Sequence, residues 1–332
     1  MNKVKDKLIF PPALLIALAA LIWGLDGVLL RPSLHGLKPS IVVFLEHAVA
    51  FGFLVIFILL AFLVYSKKGM PQWMKQDLKS IKNLNKKGWL TIGWIALFGG
   101  LIGTLAITKA LFFVGFIPLS IPILVQKIQP VFAILLARLM LKEKLRKGFL
   151  IYAGLAVLGS YLVTFGLKQP VISFDNKVLI AGLLGLLAAF AWGTSTVFGR
   201  KAVLEDLTHR SAVFLRLGIT SVISFIFLLF LGLGSKLIQI NDTEFNILII
   251  IALFNAILAT FLYYKGLLKV PARFATLLEL IFPLTVVVGD YFLHDKILSF
   301  WQFVGAGLIL FSIISLNKKI QKNLPKPGIN FN

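Results

Sequence analysis

The chain has no cysteine among its 332 residues. Disulfides, thiol catalysis and thiolate metal ligation are excluded at once. Charge is sparse as well: Asp, Glu, Lys and Arg make up 14% of the chain, where a soluble domain carries about 25%. Acidic residues are the scarcest, 13 against 34 Lys and Arg. The four histidines, at 35, 47, 209 and 294, have no metal-ligand spacing. No glycine-rich phosphate loop precedes a polar helix, which argues against ATP-driven chemistry within this chain. No Ser/His/Asp set falls at one depth of the apolar runs, and no cofactor is expected.

Hydrocarbon is abundant instead. The chain is 59% hydrophobic, with a mean hydropathy of +0.94. Apolar stretches of about twenty residues recur, long enough to cross a hydrocarbon core of about 30 Å as a helix. Ten spans are predicted, at roughly 12–31, 41–65, 88–112, 118–140, 148–167, 178–199, 211–233, 246–264, 273–293 and 298–316. Within a bilayer such runs must be helices, because only a helix satisfies its own backbone. The reading is an all-α integral membrane protein in contact with the lipid bilayer. The first run follows Pro11-Pro12, lacks a small-residue cleavage site and has a later counterpart; it reads as a retained span, not a signal peptide.

The net charge of +21 suggests nucleic acid until its distribution is examined. With the N-terminus placed in the cytoplasm, inner segments hold 24 Lys and Arg, among them Lys3, Lys5, Lys7, Lys67, Lys68, Lys75, Arg146 and Lys326. Outer loops hold six: Arg31, Lys38, Lys168, Lys177, Lys236 and Lys296. The bias fits the positive-inside rule and contact with anionic lipid. It puts both termini in the cytoplasm and removes the need for a nucleic-acid partner.

The chain also repeats itself. Leu124 to Lys144, a long apolar run with a proline inside it, returns as Leu277 to Lys296; Pro130 answers to Pro283, Gln126 to Glu279, and Glu143-Lys144 to Asp295-Lys296. Ile22-Trp-Gly-Leu-Asp26 matches Ala191-Trp-Gly-Thr-Ser195, Val43-Phe-Leu-Glu46 matches Val213-Phe-Leu-Arg216, and Thr108-Lys-Ala-Leu111 matches Tyr264-Lys-Gly-Leu267, in the same order. Two units follow, residues 11–168 and 178–317, with basic tails at 1–10 and 318–332. Five spans per unit is an odd number, so the second unit is expected to enter the membrane upside down. Inverted-topology repeats with a site at their interface are a pattern of secondary transporters.

A Trp-Gly pair in each first span, Ala-Leu or Gly-Leu at the end of each third, and a proline in each fourth followed by Leu-x-Glu/Asp-Lys together resemble the drug/metabolite transporter superfamily, specifically the EamA-type ten-helix carriers. The resemblance covers residues 11–316. It implies an inner-membrane carrier that moves a small metabolite, such as an amino acid, amine or nucleoside, by alternating access through a central cavity. Two departures stand out. Glu46 occupies a place where the family often has Arg, which Arg216 keeps in the second unit. Gly115-Phe-Ile-Pro-Leu-Ser-Ile-Pro122 is longer than its counterpart around Pro271.

Ionisable residues deep in a span are costly and usually face the bundle interior. Those here are Asp26, Glu46, His47, Lys127, Arg216 and Glu279. Glu279 shares a helix face with Pro283, Val286 and Asp290, and Gln126 shares one with Pro130. A proline also frees a carbonyl one turn earlier, that of Gln126 or Glu279, so each prolyl helix offers two oxygens at one level for a solute; a packing kink is the other reading. Glu46 and His47 could exchange a proton during transport, or Glu46 could pair with Arg216 or Lys127. Trp23 and Trp192 could flank a flat or cationic solute, or serve packing beside Gly24 and Gly193. The functional reading is a secondary carrier with Glu279, Gln126, Trp23, Trp192, Pro130 and Pro283 around the solute. A membrane-embedded enzyme acting on a lipid or small solute is the alternative, and a structural membrane protein the third reading. Substrate, transport direction, coupling ion and oligomeric state are not read from the sequence.

Overall fold

A computed structural model describes residues 11–65, 69–113, 125–145, 147–168, 176–205, 207–294 and 297–322. Lys3, Lys5, Lys7, Lys67, Lys68, Arg146, Lys326, the stretch Gly115 to Pro122 and the Asp295-Lys296 pair lie outside the described residues.

Every regular element among the described residues is helical. Among the described residues nine helices are long and apolar enough to cross a membrane: α1 Pro12–Leu34, α2 Pro39–Tyr65, α4 Lys86–Phe113, α6 Lys147–Phe165, α7 Asn176–Glu205, α8 His209–Phe230, α9 Asp242–Leu267, α10 Ala272–Leu293 and α11 Phe300–Lys322. The shorter apolar helix α5, Gln129–Met140, stands at the fourth predicted span. An eleventh element was not foreseen: α3, Gln72–Lys82, lies in what the sequence presents as a polar loop. It buries Met74 on one side and points its lysines outward, as an amphipathic helix at an interface does.

Local chemistry explains the ends. Proline opens α1, where its missing N–H costs nothing. The Asn85 side chain accepts from Gly88 N at 2.8 Å to cap α4, and Thr208 accepts from Ser211 N at 3.1 Å to cap α8. Asn241 and Glu244 form a reciprocal capping box at α9. Outward-facing side chains are apolar along α2, including Ile56, Phe57, Leu60 and Leu63, as expected where the neighbour is lipid. The pairing of α6 with α11 is backbone to backbone: a Cβ on Gly159 would stand 2.7 Å from the Gly305 carbonyl, and the converse gap is 2.6 Å. Two bare backbones can approach this closely and gain dispersion contacts that larger residues would prevent.

Three of the long helices widen into π-helical segments, Asp26–Leu30 in α1, Ile95–Ile102 in α4 and Ile251–Ala259 in α9. Wider turns of this kind concentrate at functional sites. The two prolyl elements break a turn before their prolines, at Lys127–Ile128 and at Glu279–Leu280. The expected free carbonyl at Glu279 is not free: it accepts from Phe282 N at 3.0 Å, because the broken helix closes as a tight turn there.

Candidate functional site

The π segments and the broken prolyl helices surround one cavity of about 550 Å³. All eleven residues singled out from the sequence line it: Trp23, Asp26, Glu46, His47, Gln126, Lys127, Pro130, Trp192, Arg216, Glu279 and Pro283. Asp290 reaches it as well.

The Trp-Gly pairs explain how the two halves meet. The Thr108/Tyr264 match makes Gly99 the counterpart of Asn255, nine residues earlier in each copy. Trp23 Nε1 donates to the Asn255 carbonyl at 3.3 Å, and Trp192 Nε1 donates to the Gly99 carbonyl at 3.2 Å. Each tryptophan of one half therefore reaches the equivalent backbone oxygen of the other. The glycines behave alike. A Cβ on Gly24 would stand 2.6 Å from Thr285 Cβ in α10, and one on Gly193 would stand 2.7 Å from the Gln129 carbonyl in α5. Each first span thus presses against the prolyl helix of the opposite half, and the cavity lies between.

One wall is a buried ionic cluster. Arg31 donates to Asp26 Oδ2 from Nε at 2.9 Å and from a terminal nitrogen at 2.7 Å, and to Glu46 Oε2 at 3.0 Å. Asn255 Nδ2 donates to Asp26 Oδ2 at 3.0 Å and to Glu46 Oε1 at 3.1 Å. This corrects two expectations. Arg31 is not an outer-loop residue; α1 continues past Asp26 through its π segment and carries Arg31 back into the bundle, 7% exposed. Glu46 pairs with Arg31, not with Arg216 or Lys127. His47 turns its Nδ1–H onto the Val43 carbonyl of its own helix, at 2.8 Å. Arg216 donates to the Gly99 carbonyl at 3.2 Å.

A second polar cluster of the lining centres on Glu279. Its Oε1 accepts from Tyr263 at 2.6 Å and Thr196 at 3.2 Å, and its Oε2 accepts from Gln129 Nε2 at 2.6 Å. The sequence pairs Glu279 with Gln126, its counterpart in the repeat. In space Gln126 stands one step back, donating to Gln129 Oε1 at 3.3 Å. Lys127 Nζ lies 5.7 Å from the centre of the Phe282 ring. Trp23 and Tyr263 stack obliquely with centroids 5.2 Å apart. Arg31, Gln129, Thr196, Asn255 and Tyr263 escaped the sequence reading. Asn255 carried a signal, as an amide inside the run Ile249 to Leu262; the others did not stand out from ordinary loop or helix residues.

With its polar groups spread over both halves, the arrangement can hold a flat solute between aromatic faces and hydrogen-bond its edges. The comparisons agree with that architecture. The model of the EamA-like transporter family matches residues 10–165 and 179–318. A riboflavin transporter, ImpX, of Fusobacterium nucleatum subsp. nucleatum is 42% identical over 309 residues, covering 92% of this chain and 97% of that protein. A crystal structure of another protein shares the fold with a TM-score of 0.69 at 15% identity, over 95% of this chain and 98% of that one. The chain belongs to the EamA-like transporter family, within the drug/metabolite transporter superfamily, and is a membrane transporter of a small solute.

Proposed function

We propose that this transporter carries riboflavin, or a flavin of the same shape, across the plasma (inner) membrane by alternating access. The observation that carries the reading is the full-length relative named for riboflavin. The cavity chemistry supports it. A volume of about 550 Å³ falls within the range of small-molecule sites. Trp23, Trp192, Tyr263 and Phe282 supply aromatic walls for a tricyclic ring, and Gln126, Gln129 and Thr196 supply donors and acceptors for imide and ribityl groups. Glu279 already receives three donors, so its part is to position Gln129, Tyr263 and Thr196, not to bind a cation alone. The sequence leaves amino acids, amines and nucleosides open; a flavin satisfies the same hydrogen-bonding groups without needing a charge.

We read the two units as an inverted repeat with both termini in the cytoplasm. The exchanged Trp23 and Trp192 bonds suit a two-fold relation between the halves, and removing Arg31 from the outer loops leaves a basic bias of 24 to 5. On this orientation the cytoplasmic ends of the halves are tied together. Glu143 accepts from Ala272 N at 2.8 Å and Arg273 N at 3.1 Å, and Asp77 accepts from Thr208 at 2.6 Å and Arg210 at 2.7 Å. The lining runs the other way, out to Pro32, Leu111 and Asp290, so this conformation faces outward. Inward opening then requires both ties to part.

Purified protein in liposomes is expected to take up radiolabelled riboflavin saturably and release it unmodified. No saturable uptake would overturn the substrate assignment, and a modified product would favour the enzyme alternative. For topology, single cysteines at Lys75 and Lys177 should label from opposite sides of the membrane, Lys75 from the cytoplasm; labelling from the same side removes the inverted repeat.

A further inference from the structure

The two halves build the same constellation twice, with different contents. In one, Trp23, Asp26, Glu46 and Asn255 meet. In the other, their counterparts Trp192, Ser195, Arg216 and Gly99 meet: Trp192 and Arg216 both donate to the Gly99 carbonyl, and a Cβ on Gly99 would stand 2.7 Å from the Ser195 hydroxyl. Both carboxylates are therefore in one copy. They are 5% and 4% exposed and share the guanidinium of Arg31. Among the described residues Arg31 is the one ion-pair partner the two acids have, and a buried carboxylate that shares its partner is costly out of water.

Two unpartnered atoms mark a place for a proton. Asp26 Oδ1 and Asn255 Oδ1 are buried and have no hydrogen-bond partner. Asn255 is 8% exposed, and its amide head sits among the acids because Nδ2 donates to both. A proton on Asp26 Oδ1 turns that oxygen into a donor. Asn255 Oδ1 is the orphaned acceptor on the amide that already bonds the same carboxyl group through Nδ2. One proton thus completes a two-bond carboxylic acid–carboxamide pair and neutralises one buried carboxylate.

We propose that Asp26, held by Asn255, takes up and releases one proton in each transport cycle, which rests on the carrier reading above. The proton comes from water on the side to which the cavity is open and returns to water on the other. The charged and titratable groups facing the site are Arg31 on its own helix, Glu46 and His47 on α2, and Arg216 on α8. Lys127 and Asp290 share the cavity. Glu46 is the less suitable carrier, since each of its oxygens already accepts a hydrogen bond. The pair bridges α1 of one half and α9 of the other, so gaining or losing the proton alters a contact between the parts that must move. A neutral Asp26 loosens its hold on Arg31 as it tightens on Asn255.

The test uses reconstituted full-length protein in sodium-free buffer. An outside-acid gradient is expected to raise riboflavin accumulation at least tenfold over that at equal pH, with riboflavin-dependent acidification of the lumen reported by a trapped dye. In Asp26→Asn that ratio should fall to about one, whatever its absolute rate, because the new amide can donate permanently to Asn255. Accumulation that still follows the pH gradient in this variant overturns the proposal. So does riboflavin entry without proton movement in the wild type, or accumulation driven by a sodium gradient at equal pH. Infrared difference spectra of the purified protein, taken between acid and neutral pH, supply a readout that needs no substrate. They should show a protonated-carboxyl band that shifts when aspartate is ¹³C-labelled and is missing in Asp26→Asn. A band that ignores the label excludes Asp26, even if riboflavin is not the solute or the variant does not fold. Saturable exchange of riboflavin without a gradient tests the carrier reading separately.

Discussion

Arg31→Met is expected to destabilise the folded protein by about 3–5 kcal/mol, the cost of leaving buried charge without its partner. The guanidinium side chain is 8% exposed and contacts carboxylates that are 6% and 5% exposed. Methionine fills similar volume and supplies no donor, so Asp26 and Glu46 would face each other across Asn255 alone. The penalty belongs to the unpaired acids, which makes a rescue possible. Arg31→Met combined with Asp26→Asn and Glu46→Gln should recover most of the loss, since neutral amides need no counter-charge and can bond Asn255 and one another. Thermal unfolding in detergent, followed by tryptophan fluorescence, measures both. A single variant that unfolds with the wild type, or a triple variant no better than the single, would show that Arg31 is not the counter-charge of this cluster.

Glu279→Gln should weaken riboflavin binding by about tenfold to a hundredfold, the equivalent of losing one charge-assisted hydrogen bond. The substitution keeps the shape. It replaces one accepting oxygen with an NH₂ group that must point at Gln129, or at Tyr263 and Thr196, all of which donate to the carboxylate. Gln129 or Tyr263 would then turn away, and the wall it forms would lose its fixed geometry. Tyr263→Phe removes one donor but leaves Gln129 and Thr196 in place, so its effect should be the smaller. Quenching of flavin fluorescence on titration into purified protein reports affinity, and size-exclusion chromatography reports folding. Unchanged affinity in a folded Glu279→Gln variant would make Glu279 a packing residue.

The sequence determined by itself whatever depends on composition along one helix. A bilayer accepts only long apolar runs with satisfied backbones, so the spans were legible in the order of Leu, Ile, Phe and Val, and the all-helical class with them. The prolines at 130 and 283 announced the broken elements, because a missing N–H acts on its own helix wherever that helix lies. Trp23 and Trp192 were conspicuous because the Trp-Gly pair recurs at matching places in the two units, and the deep charges because each is expensive in hydrocarbon and usually faces inward. Partnership was not legible. Arg31, beside Pro32 and Ser33, has the look of a loop residue, and only the folded chain, with α1 continuing through its π segment, places it between Asp26 and Glu46. Gln126 matches Glu279 in the repeat, yet Gln129 makes the bond, because the turn at Lys127–Ile128 changes which side chain faces across the cavity. Asn255 becomes the bridge between two acids more than two hundred residues away in the chain. Such pairings depend on which helices become neighbours and how far each is rotated. Those quantities are fixed by contacts of a few ångströms, such as those of Gly24 and Gly193 with the opposite prolyl helices, and they arise only when the two halves are packed together.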